Sequence, residues 1–538
     1  MLAGRLWYHD GALEPGPALK LRQLVTGIAA GYASKGVQLV ASLLLVPFFL
    51  REEVLGLDGY GRAFTVSALI GLLPLLTGGL SFSLIRSISR ALDAGEGETR
   101  PHEALGAGIK ILGGACAVAL VGTLLVGPWV LPGVGLEPSR DVWGALAISG
   151  LLYWLENAFG LVRAPLLARG AITFVNATGA AEVLGRSLCY FVVFSIWPAT
   201  LTLFFAIQLV FVGLRGLAQL VFLWRQWPDN LRGALRAPVS AGADAVRRSW
   251  PITTQIGTMT LVHRLPVILS NALLGPEASG LAALALITVR GYVLQTLFAV
   301  VQPIAVPLAS RLDPRQLTPH RRALLWKLEA VYIFVSGLLV ATGVACMPEL
   351  IGLWLGEGYA PVVLAAQAVL LSCSVEVAFN GRLSLLIGQG LLGRALPGIL
   401  AGTGVVVAAS AFAVASLGSW QLAVLAVVLY FPLTMGLGVD VAYRSTLLAR
   451  EEAEHPRSRP LLFLLAAGAV AWALSAPELG RGLLPMLGRV LADAVAVALL
   501  GHLLLLSLGE TLATLRTLGR SLDRSIVGEA APTEPGGP

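Results

Sequence analysis

The chain has 538 residues, of which 56% are hydrophobic and only 13% charged, and its mean hydropathy is +0.79. A soluble domain carries roughly a quarter charged residues, so this sequence has too little polar surface to cover a globule and must be solvated largely by lipid. The formal net charge of +7 is then informative through where the cations sit, and gives no sign of a nucleic-acid partner.

In chain order, residues 1–23 form a polar N-terminal segment. It contains Arg5, His9, Asp10, Glu14, Lys20 and Arg22 but no apolar core or cleavage site, so no cleavable signal peptide is expected. Apolar stretches then recur at 24–50, 60–85, 104–131, 142–166, 172–197, 199–224, 250–273, 279–308, 324–347, 361–388, 395–417, 420–447, 460–477 and 483–508. Each is long enough to cross a bilayer, which predicts an all-α polytopic membrane protein of about fourteen transmembrane helices. Cys116, Cys189, Cys346 and Cys373 fall inside these apolar runs without metal-ligand spacing, so neither a metal nor a disulfide is expected.

Short loops rich in Lys and Arg face the cytoplasm. With the N-terminus inside, the inner connections hold Arg86, Arg90 and Arg100, Arg163 and Arg169, Arg225 to Arg248, Arg311 to Lys327, Arg444 to Arg459 and Arg516 to Arg524. Only Arg51, Arg62, Arg140, Arg481 and Arg489 fall outside. Both termini are therefore expected in the cytoplasm, in a bacterial inner membrane.

A shift of 219 lays Leu55-Gly56-Leu57-Asp58-Gly59-Tyr60-Gly61 on Leu274-Gly275-Pro276-Glu277-Ala278-Ser279-Gly280, and Pro47 on Pro266. A shift of 220 lays Glu156-Asn157-Ala158-Phe159 on Glu376-Val377-Ala378-Phe379 and Gly170 on Gly390, and 221 lays Ser89-Arg90 on Ser310-Arg311. This divides the chain into a six-helix bundle (24–224), a cytoplasmic linker (225–249), a second six-helix bundle (250–447), a cytoplasmic loop (448–459), two extra transmembrane helices (460–508) and a tail (509–538). Because six is even, both halves enter from the same side as parallel repeats, a transporter plan with the substrate site between them.

The opening Val46-Pro47-Phe48-Phe49-Leu50 with Leu55 to Gly61, Ala168-Arg169-Gly170 with Asn176, and Glu349-Leu350-Ile351-Gly352-Leu353-Trp354-Leu355-Gly356 resemble the polysaccharide flippases, the Wzx-like branch of the multidrug/oligosaccharidyl-lipid/polysaccharide exporter superfamily. The resemblance covers essentially the whole chain. It implies a flippase moving a polyprenyl-pyrophosphate-linked oligosaccharide between leaflets by alternating access, for cell-surface polysaccharide such as lipopolysaccharide. Polysaccharide polymerase and export machinery would be its protein partners, and no cofactor is implied.

Ionisable residues inside spans are costly and usually face a cavity or a partner. Lys35 shares a polar stripe with Tyr32, Gln38 and Ser42, and Arg264 shares one with Thr253, Thr260 and Asn271. Lys35 and Arg264 are the expected pyrophosphate-binding cations, since Arg offers paired donors to phosphate oxygens; the competing reading has each glued to a carboxylate. Arg290 is a further candidate, although on an ideal helix it points away from the stripe of Thr288, Tyr292, Gln295 and Gln302. Glu182 and Arg186, four apart, are expected to pair, while Arg215 and Arg382 are expected to snorkel to the interface. Glu156 and Glu376, repeat mates, could bind a coupling ion, a sugar hydroxyl or another helix; Glu376 shares a face with Ser372 and Asn380.

No Gly-Lys-Ser/Thr phosphate loop occurs, so an ATP-driven pump is not expected. An oligosaccharide polymerase or ligase would carry a larger external loop. An ion-coupled multidrug exporter of the same superfamily is the nearer rival, distinguished by an acidic cavity where this chain places cations. The reading is a transporter and not an enzyme.

Overall fold

The computed structural model describes residues 21–73, 79, 101–168, 171–238, 243–291, 319–447, 458–475 and 483–504. The helices in chain order are α1 (Leu21–Phe49), α2 (Gly56–Ile70), α3 (Pro101–Gly133), α4 (Arg140–Ala168), α5 (Ile172–Ile196), α6 (Leu201–Gln226), the short α7 (Pro228–Arg236), α8 (Ala243–Leu274) and α9 (Pro276–Ala283). After α9 comes a π-helical turn, Leu284–Val289. Then follow α10 (Pro319–Ala345), α11 (Met347–Trp354), α12 (Val362–Gln389), α13 (Leu396–Leu417), α14 (Trp420–Val428), a π-helical stretch Pro432–Asp440, α15 (Val441–Leu447), α16 (Ser458–Leu474) and α17 (Leu483–Leu504).

Every apolar stretch read from the sequence contains a helix among its described residues. Among the described residues seven helices are long and apolar enough to cross a membrane, or up to nine if the bent pairs α10–α11 and the two segments of α12 each count as one span. The long α8 is not among them, because Thr253, Thr254, Gln255, Thr258, Thr260, His263 and Arg264 lower its hydropathy. A helix that polar needs a protein or water-lined face.

The packing repeats. In the first half α1 packs on α5, α3 on α4, α4 on α6, α5 on α6 and α2 on α4. In the second, α8 packs on α13, α10 on α12, α12 on α14, α13 on α14 and the π turn after α9 on α12. Local chemistry repeats with it. Gly56 and Gly275, 219 apart, both adopt left-handed φ values of 66° and 96° to turn the chain into α2 and α9, conformations that favour glycine. Thr200 and Ser419, also 219 apart, each cap a helix by accepting from the backbone N–H of Leu203 and Leu422 at 3.2 Å, satisfying an otherwise orphaned donor.

The halves meet where α2 crosses α9. A Cβ on Gly61 would lie 1.9 Å from the Pro276 carbonyl oxygen, and one on Gly280 would lie 2.9 Å from the Leu57 carbonyl oxygen. Leu57 and Pro276 are repeat mates, as are Gly61 and Gly280, so the crossing is reciprocal about the internal axis. Hydroxyl hydrogen bonds flank it: Thr65 with Ser279 at 2.8 Å and Tyr60 with Thr288 at 2.7 Å. Trp354 donates from Nε1 to the Leu43 carbonyl at 2.5 Å and so ties α11 to α1.

The extra helices α16 and α17 pack on each other and on α10, with α16 also touching α12. They therefore dock on the second half. Gly337 and Gly501 provide the clearance for Phe463 and Phe334 in that contact. Segments 1–20, 311–318, 448–457 and 505–538, with the residue pairs Ser89-Arg90 and Ser310-Arg311 and the residues Arg169, Gly170, Tyr292, Gln295 and Gln302, lie outside the described residues.

Candidate functional site

In the first half the stripe on α1 faces α5. Lys35 is half-buried and donates to Gln38 Oε1 at 2.8 Å; Gln38 donates to Ser34 Oγ at 3.3 Å, and Ser34 donates to the Asn176 carbonyl at 2.9 Å. Tyr32 is 42% exposed and stands apart from this network. Arg163 of α4, Glu182 of α5 and Arg215 of α6 are the charged groups around Lys35. Glu182 accepts from Arg186 at 3.2 Å and also from Arg215, whose guanidinium lies 3.9 Å from Glu156 as well. The i,i+4 pair expected from sequence is present but forms only part of the cluster.

Two expectations are corrected here. Arg215 does not snorkel: its side chain is 12% exposed and turned onto Glu182, because a buried carboxylate one helix away offers a stronger partner than the distant interface. Arg163, assigned by sequence to a cytoplasmic connection, lies within α4, and its Nε is buried without a partner.

In the second half, α8 presents Arg264 against Gly71, whose added Cβ would lie 3.1 Å from the Arg264 Nε. Arg264 Nη1 is buried without a hydrogen-bond partner, and Arg290 is the charged group nearest enough to act on it. Arg290 follows the π turn and donates to Glu376 at 2.8 Å while its guanidinium sits 5.5 Å over the Phe431 ring. The π turn changes the angular register, which brings Arg290 onto α12 instead of the direction an ideal helix gives. Of the three roles open to Glu376, an interhelical ion pair is the one its geometry displays.

The remaining candidates are dispersed. Thr260 bonds back to Ile256 of its own helix at 2.8 Å, and Asn271 donates to the Val134 carbonyl at 2.6 Å, joining α8 to the α3–α4 connection of the other half. Glu156 is 53% exposed, and Asn380 is buried with its Nδ2 unpartnered. Arg382, expected to snorkel, is instead buried, donating to Asp440 beneath Phe379 and Tyr443. Asp440 also accepts from Arg444 at 2.8 Å.

Sequence reasoning passed over His263, which packs edge-on to Tyr430 and beside Phe431 with Nδ1 2.6 Å from the Met259 carbonyl oxygen. A histidine adjacent to an intramembrane arginine was the available signal. Arg489, read as an outer-loop cation, lies in α17 and donates to Glu349 of α11. Among the described residues no group of three or more His, Cys, Asp or Glu could hold a metal ion.

No protein-family model matches the sequence, and no curated protein matches it. Solved structures do. The eukaryotic MATE transporter AtDTX14 aligns with a TM-score of 0.59 at 14% identity, covering 85% of this chain and 98% of its own. The lipid II flippase MurJ in an inward closed conformation aligns with a TM-score of 0.56 at 10% identity, covering 89% and 98%. The MATE multidrug transporter DinF-BH aligns with a TM-score of 0.59 at 14% identity, covering 81% and 99%. The chain therefore has the polytopic fold shared by MATE transporters and MurJ.

Proposed function

We propose that this chain is an alternating-access flippase that carries a polyprenyl-pyrophosphate-linked oligosaccharide across a bacterial inner membrane, with both termini in the cytoplasm. The observation that carries the reading is a pair of intramembrane cations, one in each half: Lys35, held only by the neutral Gln38, and Arg264, with an unpartnered Nη1. Neither makes an ion pair among the described residues, unlike Arg215, Arg290, Arg382 and Arg489. A diphosphate leaving water needs such uncommitted counter-charge. Gln38 belongs to the same proposed site, and the exposed Glu156 and the unpartnered Nδ2 of Asn380 are its sugar or coupling contacts; Arg290 and Glu376 are spent on each other and Asn271 on the Val134 carbonyl. The α16–α17 pair, docked on α10, would flank the path of the prenyl tail.

The fold shared with MATE multidrug transporters supports a second reading, ion-coupled export of small molecules. That reading calls for a carboxylate free to meet a cation. Glu182 and Glu376 are instead engaged by arginines.

Vesicles loaded with the purified protein and a defined lipid-linked glycan test the proposal. Lys35→Ala and Arg264→Ala should each slow flipping by roughly tenfold to a hundredfold, the worth of one charge-assisted hydrogen bond, with insertion unchanged. Lys35→Arg should keep more activity than Arg264→Lys, where planar paired donors are lost. Undiminished flipping in both alanine variants, or export of cationic dyes without any glycan flipping, sinks the proposal.

A further inference from the structure

The docked pair α16–α17 holds a charge cluster remote from Lys35 and Arg264 in the chain. Arg489 and Asp493 are one turn apart on α17, facing Thr342, Cys346 and Glu349 at the 60° bend between α10 and α11. Arg489 donates to Glu349, and both side chains are only 4% exposed. Thr342 Oγ1 donates to Asp493 Oδ2 at 3.2 Å. Glu349, Arg489 and Asp493 all act electrostatically on the Cys346 thiol, which places them around one point.

Two carboxylates here face one guanidinium. Asp493 is completely buried, and its Oδ1, like Oε2 of Glu349, has no hydrogen-bond partner. Glu349 has Arg489 against it, so its ionised form is compensated. Among the described residues Asp493 has only a neutral hydroxyl donor, and an uncompensated carboxylate out of water is strongly disfavoured. Among the described residues α17 also packs on α16. The buried side chains described on α16 are Phe463, Leu464, Ala467 and Ala471, none of which carries a charge.

We propose that Asp493 is a reversible proton-binding site. A proton joins Oδ1 to form an O–H bond, which takes the cluster from one net negative charge to neutrality with no electron transferred. The protonated acid keeps its bond with Thr342 and leaves Oδ1 as a donor. Release of the proton restores the negative charge at the contact between α17 and α10, so the docking of the extension becomes sensitive to pH. Nothing in this depends on what the central site carries.

Infrared difference spectroscopy of the full-length protein in lipid vesicles, stepped between acidic and alkaline buffer, reads the site directly. The expected result is a carboxylic-acid carbonyl band that bleaches at alkaline pH, shifts in deuterated buffer and is missing in Asp493→Asn. Thr342→Val should move that band in frequency without removing it, because the hydroxyl touches the same carboxyl group. The proposal is overturned by a band that survives in Asp493→Asn, or by one that answers to sodium at fixed pH and not to protons. Should Asp493→Asn fail to fold, an unshifted spectrum in Thr342→Val overturns it alone.

Discussion

The two halves repeat one packing pattern but not one set of ion pairs. In the first, Glu182 is shared by Arg186 and Arg215 and staples α5 to α6, while Lys35 is tethered by an uncharged amide. In the second, Arg290–Glu376 staples the π turn to α12 and Arg382–Asp440–Arg444 staples α12 to the last segment, leaving Arg264 over. Turns and caps repeat because they follow from one residue type at one position, such as Gly56 and Gly275 or Thr200 and Ser419. An interhelical ion pair needs a matched residue on each of two helices, and those matches differ between the copies. A second contrast lies beneath the first. Every ion pair among the described residues stays inside one half or joins α17 to the second half, whereas the α2–α9 seam is held by hydroxyls and glycine contacts. Buried ion pairs are expensive to break, and neutral hydrogen bonds exchange for about 1 kcal/mol. In the alternating-access reading proposed above, the strong links would hold each half rigid and the weak ones would let the halves part.

The largest effect should come from breaking a staple. Glu182→Ala strands two guanidinia and should cost about 3–5 kcal/mol, the usual penalty for an uncompensated buried charge, read as a lower thermal midpoint in detergent. Glu376→Ala strands only Arg290 and should cost less. Adding Arg215→Met to Glu182→Ala should recover part of the loss, and a double variant no better than the single one breaks the comparison.

Overpacking the seam comes next. Gly61→Val puts a Cβ into the Pro276 carbonyl and should cost about 1–3 kcal/mol, but only in the state in which α2 and α9 touch. Cross-linking between cysteines placed at Thr65 and Ser279 should fall by roughly tenfold or more, since 1.4 kcal/mol is a factor of ten. Gly113→Ala, where an added Cβ meets nothing within 4 Å, should leave it unchanged; equal loss in both variants removes the seam's special role.

A gentler version is Thr65→Val, which deletes the hydroxyl bonded to Ser279. About 1 kcal/mol should go, seen as a few-fold rise in the open population by double electron-electron resonance between spin labels on the two halves. The smallest effect belongs to the half-exposed pair Arg62–Asp58. Arg62→Ala should change stability by less than about 0.5 kcal/mol, and a larger change means this pair does more than its exposure suggests.

The helical segments, the placement of Pro47 and Pro266 inside helices and the duplicated turns were legible because each is written in local sequence. The partners of long cationic side chains were not. Arg215 and Arg382 could reach the interface or a neighbouring helix with the same stem, and only packing decides which carboxylate comes within range. The π turn Leu284–Val289 leaves no mark in a 3.6-residue pattern, so the direction of Arg290 could not be read from its position. The stripe containing Asn271 told which face of α8 was polar, but not that a carbonyl of the other half, Val134, lay opposite.

The reciprocal contact of Gly61 with Pro276 and of Gly280 with Leu57 also fixes a lever ratio. At Gly61 backbone meets backbone, and at Gly280 the Leu57 carbonyl and side chain close the gap, so in the alternating-access reading the crossing would serve as a pivot with little slack. The helix α8 ends beside it and runs back through 32 residues, an arm of roughly 48 Å at 1.5 Å per residue. Each degree of rocking about such a pivot sweeps the far end of that arm through roughly 0.8 Å by the same helical rise. In that reading a tilt of several degrees, barely felt beside the fulcrum, would at the opposite end open or shut a passage the width of a side chain.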